Sequence, residues 1–271
     1  MSLSRSQMLH EMGLGPIWRL RDAPAAAAEE DSAACSPAAA PAASSPAPTA
    51  AAVAPASAAK PAVNIAAEAI AGLGWPELRQ AISTCGNCEL CQGRKQAVPG
   101  VGDERADWLF IGEGPGAEED ARGEPFVGPA GKLLDAMLAA IDLKRGDNVY
   151  IANAVKCRPP DNRTPEAHEM AACWPWLKRQ IALLRPKLIV LLGRAAMHAV
   201  LHEEQALGAS RGKRFEYRDG ELVVPVIVTY HPAYLLRNLP DKAKAWEDLC
   251  FARRTMREQL AAGRDLPLEA H

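Results

Sequence analysis

A chain of 271 residues, of which 48% are apolar, has room for one α/β domain of about 200 residues and its core, with extensions to spare. Its formal net charge of −2 and pI near 6.3 exclude a globally basic nucleic-acid binder, so any contact with phosphates must come from a local patch. No run of about 18 apolar residues argues for a membrane span, and the opening MSLSRSQMLHEMGLGPIWRLR lacks the apolar stretch of a secretory signal, so a cytoplasmic protein is expected.

In chain order, residues 1–22 are expected to form a short amphipathic helical segment. Residues 23–62 collapse to Ala, Pro and Ser, a composition that cannot offset chain entropy and in which recurring prolines stop any helix. That stretch reads as a disordered linker, with Cys35 a spectator inside it. The domain proper is expected over 63–271. A helix from Trp75 to Thr84 opens onto Cys85-Gly86-Asn87-Cys88-Glu89-Leu90-Cys91, and Gly93 to Gly102 reads as a turn-rich connection. An apolar strand at Trp108–Ile111 runs into GEGPGAEEDARGEPFVGPAGKLL, Gly112 to Leu134, and then an amphipathic helix to Ile141. A second strand spans Asn148–Val155. A helix from Pro165 carries Cys173 and stops before Pro186, and Leu188–Leu192 is the continuous apolar run of a strand buried on both faces. Residues 213–229 suggest a hairpin about Asp219-Gly220, followed by His231-Pro232-Ala233-Tyr234-Leu235-Leu236-Arg237 and a closing helix from Asp241 to about Ala262. Alternating strands and helices point to a mainly parallel sheet covered on both faces.

In such sheets ligands bind where loops leave the carboxyl ends of the strands. The Gly112–Leu134 loop has neither the lysine and hydroxyl of a P-loop nor dinucleotide-type glycine spacing. It offers acids and one aromatic, Phe126, which suits a flat neutral ligand; the plainer alternative is a solvated acidic turn. Among the cysteines, Cys85, Cys88, Cys157 and Cys173 can converge from one loop and two further elements. Four thiolates suit zinc or an iron–sulfur cluster, and spacing alone does not choose between them. Cys91 competes through a second C-x-x-C with Cys88, a redox C-x-x-C is a further alternative, and Cys250 reads as a buried structural thiol.

The ordered set GEGPG, GEPFVGPAGKLL, NAVKCRPP and HPAYLLR resembles the family 4 uracil-DNA glycosylases, the iron–sulfur branch of that superfamily, from about Trp75 to Ala261. The resemblance implies a three-layer α/β/α sandwich with a central four-stranded parallel sheet. It implies a 4Fe–4S cluster on Cys85, Cys88, Cys157 and Cys173, and hydrolysis of the N-glycosidic bond of deoxyuridine in DNA. Phe126 would stack on a flipped uracil, with Asn153 reading its N3–H and O4 edge. His231 would donate to O2, and Glu113 would orient water and face the sugar cation. Backbone N–H groups of Gly114 and Gly116 would reach uracil O2 or a flanking phosphate. Asp120 is expected to hold the loop. On the HPAYLLR segment Tyr234, Leu235, Leu236 and Arg237 would meet DNA, the two leucines as wedges and Arg237 on phosphate.

The segment RPPDNR, Arg158 to Arg163, carries no histidine, which argues against the related branch that captures abasic DNA covalently. GEGPG likewise departs from the GLAPA-type loop of a branch that accepts a wider range of damaged bases. The rival of another class is a non-catalytic DNA-binding module stabilised by a four-cysteine metal site. The expected partner is uracil-containing DNA, single- or double-stranded, bound by a monomer, with a repair or replication protein as a possible second partner of the N-terminal segment.

Overall fold

The computed structural model describes residues 63–262, so the segments 1–22 and 23–62 lie outside it. The chain forms helices α1 (Ala67–Ala71), α2 (Trp75–Thr84) and α3 (Leu90–Gly93). Strands β1 (Val101–Gly102) and β2 (Trp108–Gly112) follow, then α4 (Ala117–Arg122), α5 (Pro129–Ala139) and β3 (Val149–Asn153). Next come α6 (Ala167–Leu184), β4 (Leu188–Leu192), α7 (Arg194–Leu201) and α8 (Leu207–Ser210). Strands β5 (Arg214–Asp219) and β6 (Leu222–Thr229) lead to α9 (Pro232–Arg237) and α10 (Asp241–Ala262).

The sheet order is β1-β3-β2-β4-β6-β5. Its centre, β3-β2-β4-β6, is parallel, as the alternation of strands and helices requires. The expectation of four parallel strands is refined at both edges. The first arm of the predicted hairpin, β5, pairs antiparallel with β6, and the two-residue β1 pairs antiparallel with β3, so the sheet is six-stranded and mixed.

Side-chain alternation explains the layers. Trp108, Phe110, Val149, Ile151, Leu188 and Val190 point to one face, where α5 and α10 cover them through Leu134, Leu138, Leu249 and Met256. Leu109, Ile111, Tyr150, Ala152, Ile189 and Leu191 point to the other, against Leu177 and Ile181 of α6 and Met197 and Val200 of α7. Every residue of β2, β3 and β4 is buried, hence their unbroken apolar runs. A third apolar cluster joins Ile70, Leu78 and Ile82 of α1 and α2 to Trp176, Cys157 and Cys173. Among the described residues no helix is long and apolar enough to cross a membrane.

Cys250 corrects one expectation. It is exposed on α10, whose inward face is Ala245, Asp248, Leu249, Ala252 and Met256. One residue past Leu249 is about 100° around the helix, which turns Cys250 away from the core.

Candidate active site

Parallel strands deliver their carboxyl ends to one edge of the sheet, and a cavity of about 670 Å³ opens there. Glu113, Gly114 and Gly116 follow β2; Asn153 ends β3; Gly193 and Arg194 follow β4; Tyr230, His231, Tyr234 and Arg237 follow β6. All of them line this cavity, as does Phe126.

Gly112 and Asn153 are cross-strand partners, and the Phe126 ring packs over Gly112. A Cβ on Gly112 would lie 2.5 Å from Phe126 Cζ and 2.6 Å from Asn153 Oδ1, so only glycine lets ring and amide stand this close. Phe126 itself has φ +55°, a left-handed backbone that a bulky residue adopts only under constraint. Part of that constraint is Arg145. Its guanidinium donates to the carbonyls of Pro125 (2.8 Å) and Phe126 (2.7 Å), while its Nε donates to Asp135 (2.9 Å). A second constraint is the close seating of α5. A Cβ on Gly131 would be 1.8 Å from the Phe126 carbonyl oxygen.

The acids of the loop divide by task. Glu119 accepts from the N–H groups of Gly116 (3.1 Å), Val127 (3.0 Å) and Gly128 (3.0 Å), tying the two ends of the loop together. The expectation of a Gly116 N–H for the ligand is therefore corrected: Gly116 lines the cavity, but its donor is committed to Glu119. Buried Asp120 accepts from Lys95 and Gln96 N–H at 2.8 and 3.4 Å, a loop-holding role. Glu113 remains at the cavity. Burial raises its pKa, and a hydrogen bond with the Thr164 side chain opposes that rise.

Asn153 is 2% exposed and its Oδ1 has no hydrogen-bond partner. A buried amide oxygen left unpaired is unfavourable by roughly 1–3 kcal/mol, which suits an acceptor reserved for a ligand donor. Behind it, the Lys156 ammonium, itself 2% exposed, donates to the Asn153 carbonyl (2.8 Å) and to Gln180 Oε1 (2.7 Å).

His231 is the N-cap of α9, and its Nδ1 accepts the Ala233 N–H at 3.1 Å. With Nδ1 an acceptor, the neutral ring carries its proton on Nε2. Burial first, and the Arg237 charge second, push its pKa down to about 4 against a smaller upward pull from Glu119. The Phe126 and His231 rings lie 5.5 Å apart, tilted by 31°.

On α9 the two leucines part company. Leu235 is 1% exposed and belongs to the core, so its expected role as a wedge is corrected, whereas Leu236 is 42% exposed. The ring of Tyr234 stacks on Tyr230 at 5.0 Å, and its hydroxyl donates to Asp241 at 2.6 Å. Arg237 is exposed at the cavity rim.

Cys85, Cys88, Cys91, Cys157 and Cys173 line a second, smaller pocket together with Arg94 and Lys156. Arg94 Nη1 donates to Cys157 Sγ at 2.9 Å and the Lys156 N–H to Cys173 Sγ at 3.3 Å; the Asn87 N–H reaches Cys85 Sγ at 3.5 Å. Burial pushes the thiols of Cys157 and Cys173 up to about 11 and about 12, and raises that of Cys88. Thiols this buried ionise only against a compensating charge, and N–H groups aimed at sulfur are what thiolate ligands need around them. The donor set therefore fits a thiolate-bound group. Among the described residues no three His, Cys, Asp or Glu take the arrangement of a site for a single metal ion.

Residues 99–250 match the model of the uracil DNA glycosylase superfamily. The type-4 uracil-DNA glycosylase of Pyrobaculum aerophilum is 42% identical over 179 residues, 65% of this chain and 91% of that protein. The chain belongs to the type-4 uracil-DNA glycosylases. The Archaeoglobus fulgidus enzyme of the same name is 46% identical over 159 residues, 57% of this chain and 79% of that protein. The Sulfurisphaera tokodaii one is 42% identical over 176 residues, covering 64% and 80%.

Several residues of this type-4 site were invisible in the sequence. Arg145 acts on backbone carbonyls 19 and 20 positions away, which leaves no pattern. Lys156 sits inside NAVKCRPP, but a lysine after a strand ordinarily reads as solvated. Glu119 carried a readable signal: it stands three residues after the Gly116 cap, the spacing of a capping box.

Proposed function

We propose that this protein hydrolyses the N-glycosidic bond of deoxyuridine in DNA, releasing uracil and leaving an abasic site. The observation that carries this reading is the unpaired Asn153 Oδ1, set in one cavity with the Phe126 ring and a histidine whose proton is on Nε2.

A uracil inside a duplex is out of reach, so the nucleotide is flipped out at the expense of a few kcal/mol of unstacking. Leu236, exposed on α9, fills the gap left in the stack, and Arg237 and Arg194 hold backbone phosphates. The base stacks on Phe126, a contact worth roughly 1–3 kcal/mol. Asn153 Oδ1 accepts N3–H and its amide nitrogen donates to O4. Cytosine reverses both positions and would leave the buried amide mispaired, so it is rejected.

As the C1′–N1 bond breaks, its electron pair passes to N1 and the charge spreads to O2. The Nε2–H of neutral His231 donates to O2 from a fixed direction, without a proton having to be acquired first. In this reading the Gly114 N–H, at the lining of the same cavity, donates to O2 or to a flanking phosphate. Glu113, as a carboxylate, faces the developing sugar cation and takes the proton of the water that adds to C1′. Its upward-shifted pKa makes it a stronger base as long as it stays ionised at the working pH.

A 4Fe–4S cluster on Cys85, Cys88, Cys157 and Cys173 is part of this reading. When bound it serves as a structural cross-link between the α2 end, the segment after β3 and α6. The chain's own contribution is the set of N–H groups from Arg94, Lys156 and Asn87 that stabilise the thiolates. In the same reading the enzyme acts as a monomer, residues 63–271 are the catalytic domain, and residues 1–22 are a peptide tethered through 23–62.

The test is to incubate uracil-containing single- and double-stranded oligonucleotides with purified, cluster-loaded protein and cleave abasic sites with alkali. Strand scission at uracil is expected. Intact strands at stoichiometric protein would leave only a DNA-binding module.

A further inference from the structure

The segment between Cys157 and α6 lends Pro159, Asn162, Arg163 and Thr164 to the cavity, and the mechanism above gives it no task. It is an irregular strap. Its turn at Pro160–Asn162 places Asp161 (φ 52°) and Asn162 (φ 54°) in the left-handed region, which these two residue types tolerate best after glycine. Arg158 Nε braces that turn from within, donating to Asn162 Oδ1 at 2.8 Å.

The far end is fixed to α6 by a fork. The Arg163 guanidinium donates to both carboxylate oxygens of Glu169, at 2.6 and 2.8 Å, and to the Thr164 carbonyl at 3.1 Å. Glu169 is 2% exposed and also accepts the Glu166 N–H at 2.7 Å. A bidentate pair with one partner buried cannot lose its other half without stranding a charge, so it holds the strap in one geometry. Thr164, the next residue, lines the same cavity as Glu113, where its side chain holds the Glu113 pKa down against burial. The strap also meets the Glu113 loop directly: a Cβ on Gly114 would lie 3.7 Å from Pro159 Cδ.

We propose that Arg163 and Thr164 are positioning residues for Glu113: the Arg163–Glu169 fork fixes the strap, and the Thr164 hydroxyl carried on it aims the Glu113 carboxylate into the cavity. The inference rests on the reading of Glu113 as the group that faces the sugar and water. It also gives the thiol site a bearing on chemistry, because the strap leaves directly from Cys157 and Glu169 lies one helical turn before Cys173. The other charged or titratable groups at this cavity are Glu119 on α4, Arg194 on α7, His231 and Arg237 about α9, and the two tyrosines; Arg163 itself is neutralised by Glu169 and, at 3.5 Å, Glu166.

The test uses the holoprotein, with cluster content followed by absorbance at about 400 nm, and the variants Thr164→Val, Thr164→Ser, Arg163→Ala and Arg163→Lys. Glu113 is titrated by NMR of carboxyl-labelled glutamates, assigned with Glu113→Gln, and the acid limb of kcat/KM is measured on a uracil oligonucleotide. Thr164→Val should raise the Glu113 midpoint by about half to one pH unit, the worth of one hydrogen bond, and the acid limb should follow it. Thr164→Ser should retain the wild-type midpoint. Arg163→Lys, which keeps the charge but lacks the fork, should behave like Arg163→Ala.

Unmoved midpoints in Thr164→Val and Arg163→Lys would overturn the proposal, as would variants that lower only the melting temperature. If Arg163→Ala fails to fold, Thr164→Val still decides. The NMR titration does not need turnover. A wild type that titrates as described but releases no uracil refutes the activity alone; one that releases uracil with midpoints indifferent to Thr164 refutes the strap alone.

Discussion

The backbone N–H of Ala233 donates to Nδ1 of His231 at 3.1 Å, and this contact decides which ring nitrogen carries the proton. The capping bond that starts α9 is thus also the bond that prepares the imidazole. A buried ring whose one acceptor nitrogen already caps a helix has no spare acceptor, so it stays neutral where a free histidine would begin to charge.

This has a pH consequence with a definite sign. The folded-state pKa of about 4 lies below the ordinary histidine value of 6.5, so between those two values the unfolded chain binds more protons than the folded one. The contribution of neutral His231 to stability is complete above pH 6.5 and is lost progressively as pH falls toward 4. The urea midpoint of the wild type should drop over that window, and His231→Gln should flatten the drop. Activity should show no ionisation of His231 between pH 5 and 8; a histidine NMR titration with a midpoint near 6.5 for this ring would contradict the tautomer assignment.

Gly112→Ala separates architecture from chemistry. The new methyl would meet both the Phe126 ring and Asn153 Oδ1 well inside contact distance, so one or both must move. A displacement on the order of 1 Å at a reacting site is worth about 10²-fold in rate. The expected outcome is a fall in kcat/KM of that order, with the sheet intact by circular dichroism. Asn153→Ala should lower kcat/KM at least as much yet leave stability within about 1 kcal/mol, because the oxygen it removes bonds nothing in the free protein.

The α9 leucines are to be told apart by opposite phenotypes. Leu235→Ala removes a core side chain and should cost about 2–4 kcal/mol in denaturant unfolding. Leu236→Ala should leave stability unchanged and weaken activity on duplex substrate more than on a single strand, since only the duplex has a stack to fill. Equal effects on both substrates would argue against a wedge.

For the thiol site, Cys85, Cys88, Cys157 and Cys173 should each abolish the absorbance near about 400 nm when changed to serine, whereas Cys91→Ser should retain it. Cys91 lines the same pocket, so colour and iron content of that one variant are the decisive measurement.

These contrasts also mark what could be read from the chain. Phe126 was legible as the one aromatic of a glycine-rich loop, whereas Asn153 and His231 were singled out by the NAVKCRPP and HPAYLLR motifs of the resemblance; the topology of a parallel sheet then gathers all three at one cavity. Leu235 against Leu236 was not: which of two adjacent leucines faces inward depends on the helical phase, and that is set by where His231 caps α9. Cys250 failed for the same reason on α10. The two-residue β1 escaped because a strand of Val101 and Gly102 has no periodicity to detect. The Arg163–Glu169 fork and the Arg145 clamp are charged contacts whose partners only the fold can name.

The pairing of Gly112 with Asn153 across β2 and β3 has a last consequence, for the paths by which such a site can change over generations. In a sheet, adding or deleting one residue turns every later side chain to the opposite face. A single-codon insertion within 108–112 or 149–153 would therefore turn Asn153 away from the cavity or offset it from Gly112. Substitutions can drift through these strands, but length cannot. Viable insertions in a random library should gather instead in the exposed stretch 202–206, which lies between α7 and α8 and carries none of the cavity's polar contacts.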